Sequence, residues 1–275
     1  MPSLLPTRKT APTRYNPKIL LIYGMPKVGK TTKVAELSSA IILDLEDGAD
    51  IVECIRLPIK GVDAPLRTKI VGEETIATSM GLEQFYEQMN QYARDWPKGT
   101  PFVLPYERIV VDTLDKLEEF CEVSATKKYK DSTIGKKFKE EHPNASVLEL
   151  PNGGGYYHLR NEMVYHIDKL AGFCKQLILV AHIREKSLNK GGIDIIQKDL
   201  SLAGKLSGII CAKADAVGYV YRETNKPMMI SFETTENAIM GSRFPRLAGK
   251  RMPFEWDKIF ITEEEAKALA EEPIK

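Results

Sequence analysis

The sequence lacks the features of a membrane-spanning or disulfide-stabilised protein. No stretch approaches the roughly 18 consecutive apolar residues that a transmembrane helix requires. The four cysteines are widely spaced and form no C-x-x-C pair, which argues against a zinc site and a disulfide framework. They are Cys54, Cys121, Cys174 and Cys211. The first residues also lack the apolar segment of a secretory signal. We therefore expect reduced thiols in a cytoplasmic protein without membrane contacts.

A strong net charge is absent as well. The 275 residues carry a formal net charge of +1, so a basic surface for nucleic acid would have to be local. The charge is nevertheless uneven, because residues 1–35 contain seven Lys or Arg and no acid, whereas residues 263–272 contain five glutamates. We expect a flexible basic arm over residues 1–17 and a C-terminal extension with an acidic helix over residues 251–275.

What the sequence does contain is an alternation of short apolar runs with amphipathic segments. Strands are predicted at residues 18–23, 41–45, 108–112, 177–181, 216–221 and 228–232. Helices are predicted at residues 30–39, 82–96, 159–174 and 201–214, and one begins near Leu114. Residues 54–75 are predicted to be irregular because Pro58 and Pro65 interrupt them. This alternation predicts an α/β fold with a mostly parallel central sheet covered by helices on both faces.

The run from Gly24 to Thr31 has the pattern G-x-x-x-x-G-K-T and directly follows a predicted strand. Its glycines permit a tight path in which backbone N–H groups converge on phosphate oxygens, and the next helix adds its positive dipole end. Lys30 reaches the β- and γ-phosphates, and the Thr31 hydroxyl ligates Mg²⁺. The sequence therefore predicts a site for ATP and Mg²⁺. The predicted nucleotide-binding residues are Gly24, Met25, Pro26, Lys27, Val28, Gly29, Lys30, Thr31 and Thr32.

Asp112 ends an apolar strand, which is the form of a Walker B strand. The C-terminal edge of a parallel sheet is where α/β proteins place their ligands. Asp112 is therefore predicted to hold Mg²⁺ through water, beside Thr31. The alternative is that Asp112 caps the following helix, and the two roles are compatible.

Hydrolysis also requires a group that orients or deprotonates the attacking water. Asp44, Glu46 and Asp47 end or follow the second strand, and the residues alone leave them in competition, with a solvated turn as the alternative for each. We expect Glu46 to approach the γ-phosphate because strand two is expected to lie beside the P-loop strand. His182 follows the strand at residues 177–181 and is the candidate γ-phosphate sensor. The alternative is an ordinary hydrogen-bonding histidine.

The P-loop, the segment ILDLEDGAD at residues 42–50, the segment VVDT at 110–113 and the segment VAH at 180–182 resemble the RecA-type recombinase core. The sequence resembles most the shorter phage RecA-like ATPases, including single-strand annealing proteins of the Sak kind, over residues 18–250. The resemblance implies a RecA-like ATPase domain over those residues, in which Glu46 activates water and Asp50 contacts the adenine. The aromatic residue that usually follows Asp50 is missing here. His182 stands where RecA proteins commonly have Gln or Asn, a departure that fits the phage relatives.

The same resemblance implies two DNA-binding loops, at residues 129–157 and 182–200. In the second, two glycines are interspersed with basic residues, a mixture that suits a mobile loop on a phosphate backbone. These basic residues are Arg184, Lys186, Lys190 and Lys198. A solvated surface loop is the alternative. The resemblance also assigns Arg243 to the γ-phosphoryl group of a neighbouring subunit, with Lys250 and Arg251 in reserve.

The leading functional prediction is a RecA-like ATPase that binds single-stranded DNA and promotes annealing or strand exchange. It would act as a homo-oligomer, in a ring or a filament, with a single-strand-binding protein as a further partner. If a phage encodes it, it would act in the host cytoplasm. One alternative is an ATP-dependent assembly switch for a replication or packaging partner. Another is a P-loop small-molecule kinase, although no Arg-rich lid segment is evident late in the chain.

Overall fold

The structure is a computed structural model that describes residue 10 and residues 12–190, 193–235 and 238–271, with side chains except at residues 186–196 and 270–271. Its strands are β1 (Ile19–Gly24), β2 (Ala40–Asp44), β3 (Arg56–Pro58), β4 (Arg67–Val71), β5 (Glu74–Ser79), β6 (Arg108–Asp112), β7 (Gln176–Lys190), β8 (Ile193–Leu200), β9 (Ala216–Arg222), β10 (Met228–Ser231), β11 (Gly241–Ser242) and β12 (Arg251–Pro253). Its α-helices are α1 (Lys30–Ala35), α2 (Leu82–Asp95), α3 (Leu114–Asp131), α4 (Lys136–Glu141), α5 (Gly155–Gly172), α6 (Leu206–Lys213), α7 (Trp256–Ile259) and α8 (Glu263–Glu271). Short 3₁₀ helices lie at Val147–Glu149 and Pro151–Gly153.

The strands form one large sheet with a parallel centre. Its order is β12-β10-β9-β1-β7-β6-β2-β3, with β11 beside β9 and β8 beside β7. From β9 to β3 every neighbouring pair is parallel, whereas β10, β12, β11 and β8 join antiparallel. The strands β4 and β5 form a separate antiparallel hairpin. The C-terminal ends of the parallel strands consequently meet at one edge, where the candidate site lies.

Alternate residues of the central strands enter two cores, one on each face of the sheet. In β1, Leu21 and Tyr23 belong to the core that includes residues of α2, α3 and α5. Leu20 and Ile22 belong to the core that includes Val34 of α1 and residues of α7. A parallel sheet must be covered on both faces, because both sets of its side chains are apolar. The predicted α/β class with a mostly parallel central sheet is thus confirmed.

The second strand does not lie beside the P-loop strand. β1 is flanked by β7 and β9, and β2 is separated from it by β7 and β6. The expectation that these two strands are adjacent is therefore wrong. Adjacency in the sheet is decided by long-range pairing, here β2 with β6 and β3, which no local pattern of β1 or β2 encodes. Since all of these strands are parallel, the ends of β2 and β1 still open on the same edge of the sheet.

The polar stretch after Ala181 is a β-hairpin rather than the predicted loop. β7 continues to Lys190 and pairs along its outer half with β8, from Ile183 opposite Leu200 to Lys190 opposite Ile193. A usable signal was present in the sequence, because Gly-Gly between two strand-forming runs is typical of a two-residue hairpin connection. The candidate DNA-binding element is therefore a continuation of a central strand of the sheet.

The segment predicted to be irregular, residues 54–75, contains more structure than the prolines suggested. β3 ends at Pro58 on the edge of the large sheet, where an absent N–H is tolerated. The β4–β5 hairpin turns at Gly72, whose φ of +64° belongs to the left-handed region that glycine adopts readily. Every residue of β4 is exposed, so the burial pattern that reveals most strands was missing here.

Residues outside the expected ATPase domain of residues 18–250 make contacts with it at both ends. Arg14, within the arm predicted to be flexible, pairs with Asp215 at 3.0 Å, and the Asn16 side chain donates to the Ile261 carbonyl at 2.7 Å. At the other end, β12 is an edge strand of the sheet and Ile259 is fully buried. Residues 251–260 therefore share the core of the domain that was expected to end at residue 250.

The acidic C-terminal helix is present as α8. Thr262 and Glu265 form a reciprocal capping box, because the Glu265 N–H donates to the Thr262 hydroxyl and the Thr262 N–H donates to the Glu265 carboxylate. Most of its described side chains are exposed. Within the described residues, none of the helices has the length and apolar character that a membrane crossing requires.

Candidate functional site

The P-loop leaves β1 through backbone conformations and close approaches that few side chains allow. Gly29 has a φ of +104°, in the left-handed region, directly before α1. At Gly24 a Cβ atom would lie 2.3 Å from the Val220 carbonyl oxygen of β9, so only glycine fits beside that strand. The two glycines of the motif thus serve different purposes, one for the turn and one for packing.

Lys30 lies buried inside the loop. Its ammonium donates to the Gly24 and Met25 carbonyls, each at 2.9 Å, and its Nζ atom is 3.4 Å from Nδ1 of His182. Burial lowers the pKa of Lys30, while Asp112, among other nearby carboxylates, acts in the opposite direction. Backbone carbonyl dipoles therefore hold the ammonium group inside the loop.

The Thr31 hydroxyl donates to Oδ2 of Asp112 at 2.8 Å, across the gap between α1 and the end of β6. Burial raises the pKa of Asp112, and the hydrogen bond from Thr31 acts against that rise. The helix α3 is capped by Thr113, whose hydroxyl accepts from the Lys116 N–H at 3.4 Å. Thr113, and not Asp112, therefore caps α3, and the Asp112 side chain faces the cavity.

The paired oxygens of Thr31 and Asp112 fit a magnesium ion. A hydroxyl and a carboxylate are hard oxygen donors, and Mg²⁺ in nucleotide sites takes few protein ligands because water and phosphate supply the others. Among the residues that the structure describes, no group of three or more His, Cys, Asp or Glu could hold a metal. Two oxygen donors suit an ion whose remaining ligands are water and phosphate oxygens.

The three acidic residues that end or follow the second strand have different surroundings in the structure. Asp44 accepts from the N–H groups of Gly48 and Ala49 and pairs with Arg56 at 3.0 Å, so it shapes the turn. Asp47 is exposed and pairs with a surface lysine, Lys60. Only Glu46 has its carboxylate directed toward the other candidate residues of the site.

Glu46 is held by two residues of neighbouring strands. Its Oε1 accepts a hydrogen bond from the Thr113 hydroxyl at 2.6 Å, and its Oε2 lies 3.7 Å from Nε2 of His182. The second distance is longer than a hydrogen bond, so the two side chains interact electrostatically. This contact lowers the pKa of Glu46 and raises that of His182. His182 therefore stands between the carboxylate of Glu46 and the ammonium of Lys30.

These residues surround a cavity of about 350 Å³ at the C-terminal edge of the sheet. It is lined by Lys27, Gly29, Lys30, Thr31, Thr32, Asp44, Glu46, Gly48, Ile51, Asp112, Thr113 and His182. Asp50, expected at the adenine, is exposed and is not among the lining residues. Its neighbour Ile51 lines the cavity and is 84% exposed, so an apolar surface stands where the resemblance implied a carboxylate.

A family model described as an AAA domain matches residues 16–259. The chain belongs to the AAA domain family. This membership makes the protein a P-loop ATPase and implies that it uses a nucleotide, usually with Mg²⁺. The matched range also includes nine residues beyond the expected domain boundary at residue 250.

Two further comparisons accompany the AAA domain match. A comparison with curated proteins finds none that matches. Among solved structures, the chain is similar to the KaiC-like protein PH0186 from the hyperthermophilic archaeon Pyrococcus horikoshii OT3, with 13% sequence identity and a TM-score of 0.33. That similarity covers 88% of this chain and 87% of the archaeal chain. The phage Sak-type resemblance stays a prediction.

The basic residues expected to touch DNA are distributed along the hairpin of the AAA domain. Arg184 is half-buried and donates to the Leu202 carbonyl at 2.9 Å. Lys198 donates to the hydroxyl of Tyr219 at 3.2 Å and lies over its ring. The side chains of Lys186 and Lys190 lie outside the described residues. Arg184 and Lys198 are therefore tied to the base of the hairpin.

Arg243, predicted to act on a neighbouring subunit, lies at the opposite edge of the sheet from the P-loop. Its guanidinium is 3.4 Å from Asp215, which precedes β9 and accepts from backbone N–H groups at the start of β1. A basic residue near the P-loop that sequence reasoning missed is Arg222, whose Nε donates to the Val28 carbonyl at 2.9 Å. The available signal was its position at the C-terminal end of β9, on the ligand-binding edge.

The Glu46–His182 pair predicts a pH-dependent contribution to stability. Because the pKa of His182 is raised, the histidine stabilises the folded state fully below its ordinary pKa of 6.5. This stabilisation is lost as pH rises through the raised pKa. Because the pKa of Glu46 is lowered, the glutamate stabilises the folded state above its ordinary pKa of 4.5. This stabilisation is lost as pH falls through the lowered pKa. We expect His182→Gln to lower the free energy of unfolding most between pH 4.5 and 6.5, by no more than about 1 kcal/mol because the pair is partly exposed. Thermal unfolding of both proteins across pH measures this, and a difference independent of pH would contradict it.

Proposed function

We propose that this AAA domain hydrolyses ATP with Mg²⁺ and that single-stranded DNA stimulates the reaction. The observation that carries the first half is the convergence of Lys30, the Thr31–Asp112 pair, Glu46 and His182 around one cavity. They come from separate segments of the chain, and each has the chemistry of one part of a phosphoryl-transfer site.

The proposed roles follow from position and charge. Bound Mg²⁺ would neutralise charge on the β- and γ-phosphate oxygens, next to Thr31 and Asp112. Lys30 exchanges its carbonyl partners for phosphate oxygens and stabilises the charge that develops on the transferred group. Glu46 accepts a proton from the attacking water, and Thr113 fixes the direction of its carboxylate. His182, between Lys30 and Glu46, senses whether a γ-phosphate is present.

The continuity of β7 supports the coupling to single-stranded DNA. The same strand carries His182 beside Lys30 and Glu46 and then extends to Lys190 in the hairpin with β8. A polyanion bound along the hairpin would therefore act on the strand that positions the sensor. Lys and Arg on such an element supply the sequence-independent attraction that single strands require.

We further propose that the protein acts as a homo-oligomer on DNA, in annealing or strand exchange, alongside a single-strand-binding protein. Two exposed apolar side chains support this, Met25 of the P-loop and Ile51 of the ATP cavity lining, which are 52% and 84% exposed. A neighbouring subunit that covered them would also exclude water from the site. Arg243 remains the proposed trans-acting residue only if a neighbour approaches the edge of the sheet where it lies.

The test is ATP turnover with and without single-stranded DNA. We expect turnover in the presence of Mg²⁺ and its stimulation by a single-stranded oligonucleotide. The absence of DNA-stimulated turnover would support the assembly switch, and turnover that depends on a small acceptor would support the kinase. Omission of Mg²⁺ should abolish turnover in each case, so it serves as the common control.

Neutralising the hairpin should reduce the salt dependence of DNA binding. In the triple variant Arg184→Gln, Lys186→Gln, Lys190→Gln, the log–log salt slope on single strands should fall by about 0.7 for every phosphate that the protein no longer neutralises. Titrations of a labelled oligonucleotide at several salt concentrations measure the slope directly.

A matched control separates local binding from net charge. Lys60, Lys69 and Lys98 are exposed lysines on other parts of the surface, and changing them to Gln removes the same three charges. We expect the control to keep the wild-type slope. Equal slopes for the wild type and the hairpin variant would place the DNA site elsewhere, with the basic residues Arg8, Lys9 and Arg14 next to be tested.

A further inference from the structure

A cavity of about 660 Å³, larger than the ATP cavity, lies elsewhere in the described part of the chain. It lies between the base of the β7–β8 hairpin and the C-terminal end of β9, on the other side of the P-loop from Glu46. Its principal lining residues are Lys198, Tyr219, Tyr221, Arg222 and Arg251. Neither the AAA domain match nor the proposed hydrolytic mechanism assigns it a role.

Two tyrosines form the aromatic wall of this cavity. Tyr219 and Tyr221 are two residues apart on β9, so both point to the same face of the sheet. Their rings are nearly parallel, with an interplanar angle of 12° and centroids 5.6 Å apart. Both side chains are half-buried. The hydroxyl of Tyr221 is buried and has no hydrogen-bond partner among the described residues, so this side chain is held by its ring alone.

Cations flank the aromatic pair on both sides. The Lys198 ammonium lies 4.8 Å from the centroid of the Tyr219 ring, and the Arg251 guanidinium lies 5.9 Å from that of Tyr221. Both arrangements are within the range of cation–π contacts. The wall thus combines aromatic rings with adjacent positive charges, which are the two kinds of group that bind the bases and phosphates of a single strand.

The carboxylates of the cavity do not cancel this charge. Its lining contains Lys198, Arg222 and Arg251 against Glu185 and Glu223. Glu223 forms an ion pair with Lys226, and Arg251 forms one with Glu233 at 3.4 Å. Neither Lys226 nor Glu233 is among the lining residues, so Lys198 and Arg222 face Glu185. The balance at the cavity surface is positive, although the net charge of the whole chain is only +1. Charge complementarity therefore favours an anionic occupant.

Arg222 connects this cavity to the ATP site. It lines the cavity, and its Nε donates to the Val28 carbonyl within the P-loop at 2.9 Å. Its guanidinium also lies next to Gly29, since a Cβ built there would be 3.2 Å from Nη2. A phosphate that drew the guanidinium into the cavity would remove a hydrogen bond from the P-loop. Occupation of one site is thereby linked to the conformation of the other.

We propose that this cavity binds one nucleotide unit of a single-stranded nucleic acid, with the base on the tyrosine wall and the adjoining phosphates at Lys198 and Arg251. The inference rests on the proposed function, in that single-stranded DNA is taken as the ligand. It adds a defined stacking site to the basic hairpin. It also makes Arg222 the residue that couples DNA binding in this cavity to ATP turnover.

Tyr221 offers a pair of variants that isolates the ring. Tyr221→Leu removes the stacking surface, whereas Tyr221→Phe keeps it and removes only a hydroxyl that has no partner among the described residues. On a single-stranded oligothymidylate we expect Tyr221→Leu to bind about 5- to 150-fold more weakly than the wild type, the range for loss of one stacked base. Tyr221→Phe should bind like the wild type. The DNA concentration needed for half-maximal stimulation of ATP turnover should rise by the same factor in Tyr221→Leu.

An abasic oligonucleotide of the same length makes the test independent of folding. It keeps the phosphates but has no bases, so the wild type and Tyr221→Leu should bind it equally, whereas a misfolded variant would bind it more weakly as well. Equal binding of oligothymidylate by wild type and Tyr221→Leu would overturn the inference and leave DNA binding intact. A wild type that binds neither oligonucleotide would instead overturn the proposed function.

Discussion

Replacing Glu46 by Gln is expected to slow ATP hydrolysis by about 10²-fold or more while ATP binding is retained, the range for loss of a general base. Gln has nearly the same shape, and its amide oxygen can still accept the hydrogen bond that Thr113 donates to Oε1 of Glu46 at 2.6 Å. The side chain therefore keeps its position but can no longer accept a proton from water. Steady-state turnover and equilibrium binding of a labelled ATP analogue separate the two effects.

The neighbouring acids serve as controls for this prediction. Asp47 is exposed and forms its ion pair with Lys60, so Asp47→Asn should hydrolyse ATP at close to the wild-type rate. Asp44 holds the turn through Gly48 and Ala49, so Asp44→Asn should lower the unfolding temperature. If Asp47→Asn were severely impaired and Glu46→Gln only mildly, the general base would have been assigned to the wrong carboxylate.

Much of the fold was predictable because the decisive signals are local. The strand predicted at residues 108–112 has the same bounds in the structure, since five residues with an apolar centre end in a single aspartate. The helix predicted at residues 82–96 is Leu82–Asp95, where Phe85 and Met89 recur at the helical period on the buried side. In both elements the sequence pattern and the burial pattern coincide.

The elements that were missed carry no such pattern. The β4 strand is fully exposed, so its residues could not be told from a loop by burial period. The outer half of β7 pairs with β8 from Ile183 onward, and its sequence no longer has the apolar continuity that marks a central strand. The order of the strands depends on long-range pairing, and this is why the adjacency of β1 and β2 was expected in error.

Some residues of the candidate site could be predicted from the sequence, and others could not. The P-loop is a contiguous motif, so its residues were named directly. Glu46 was chosen over Asp44 and Asp47 only through a family resemblance, and the structure supplies the physical difference, namely the hydrogen bond from Thr113. Arg222 was not identified, because its contact with Val28 joins residues 194 positions apart. No spacing rule relates two such residues.

Replacing Lys30 by Ala should have the largest effect, a loss of turnover of roughly 10³-fold or more, since charged clamps on a transferring phosphoryl group are among the strongest contributors to catalysis. The fold should survive. Lys30 is buried with a lowered pKa, so its removal relieves a desolvation cost. The Gly24 and Met25 carbonyls that it leaves face the cavity, where water can take its place.

The control for Lys30→Ala removes one positive charge far from the site. Lys139 on α4 is exposed and pairs with Asp131, and Lys139→Ala should leave turnover unchanged. Circular dichroism and thermal unfolding establish that both variants are folded, and ATP-analogue binding shows at which step Lys30→Ala fails. Because the ammonium lies inside the loop that is proposed to hold the phosphates, its loss should weaken ground-state binding as well as the chemical step. If a folded Lys30→Ala protein kept wild-type turnover, the assignment of the nucleotide site to this loop would be wrong. The roles proposed for Glu46, Asp112 and His182 would then be wrong as well.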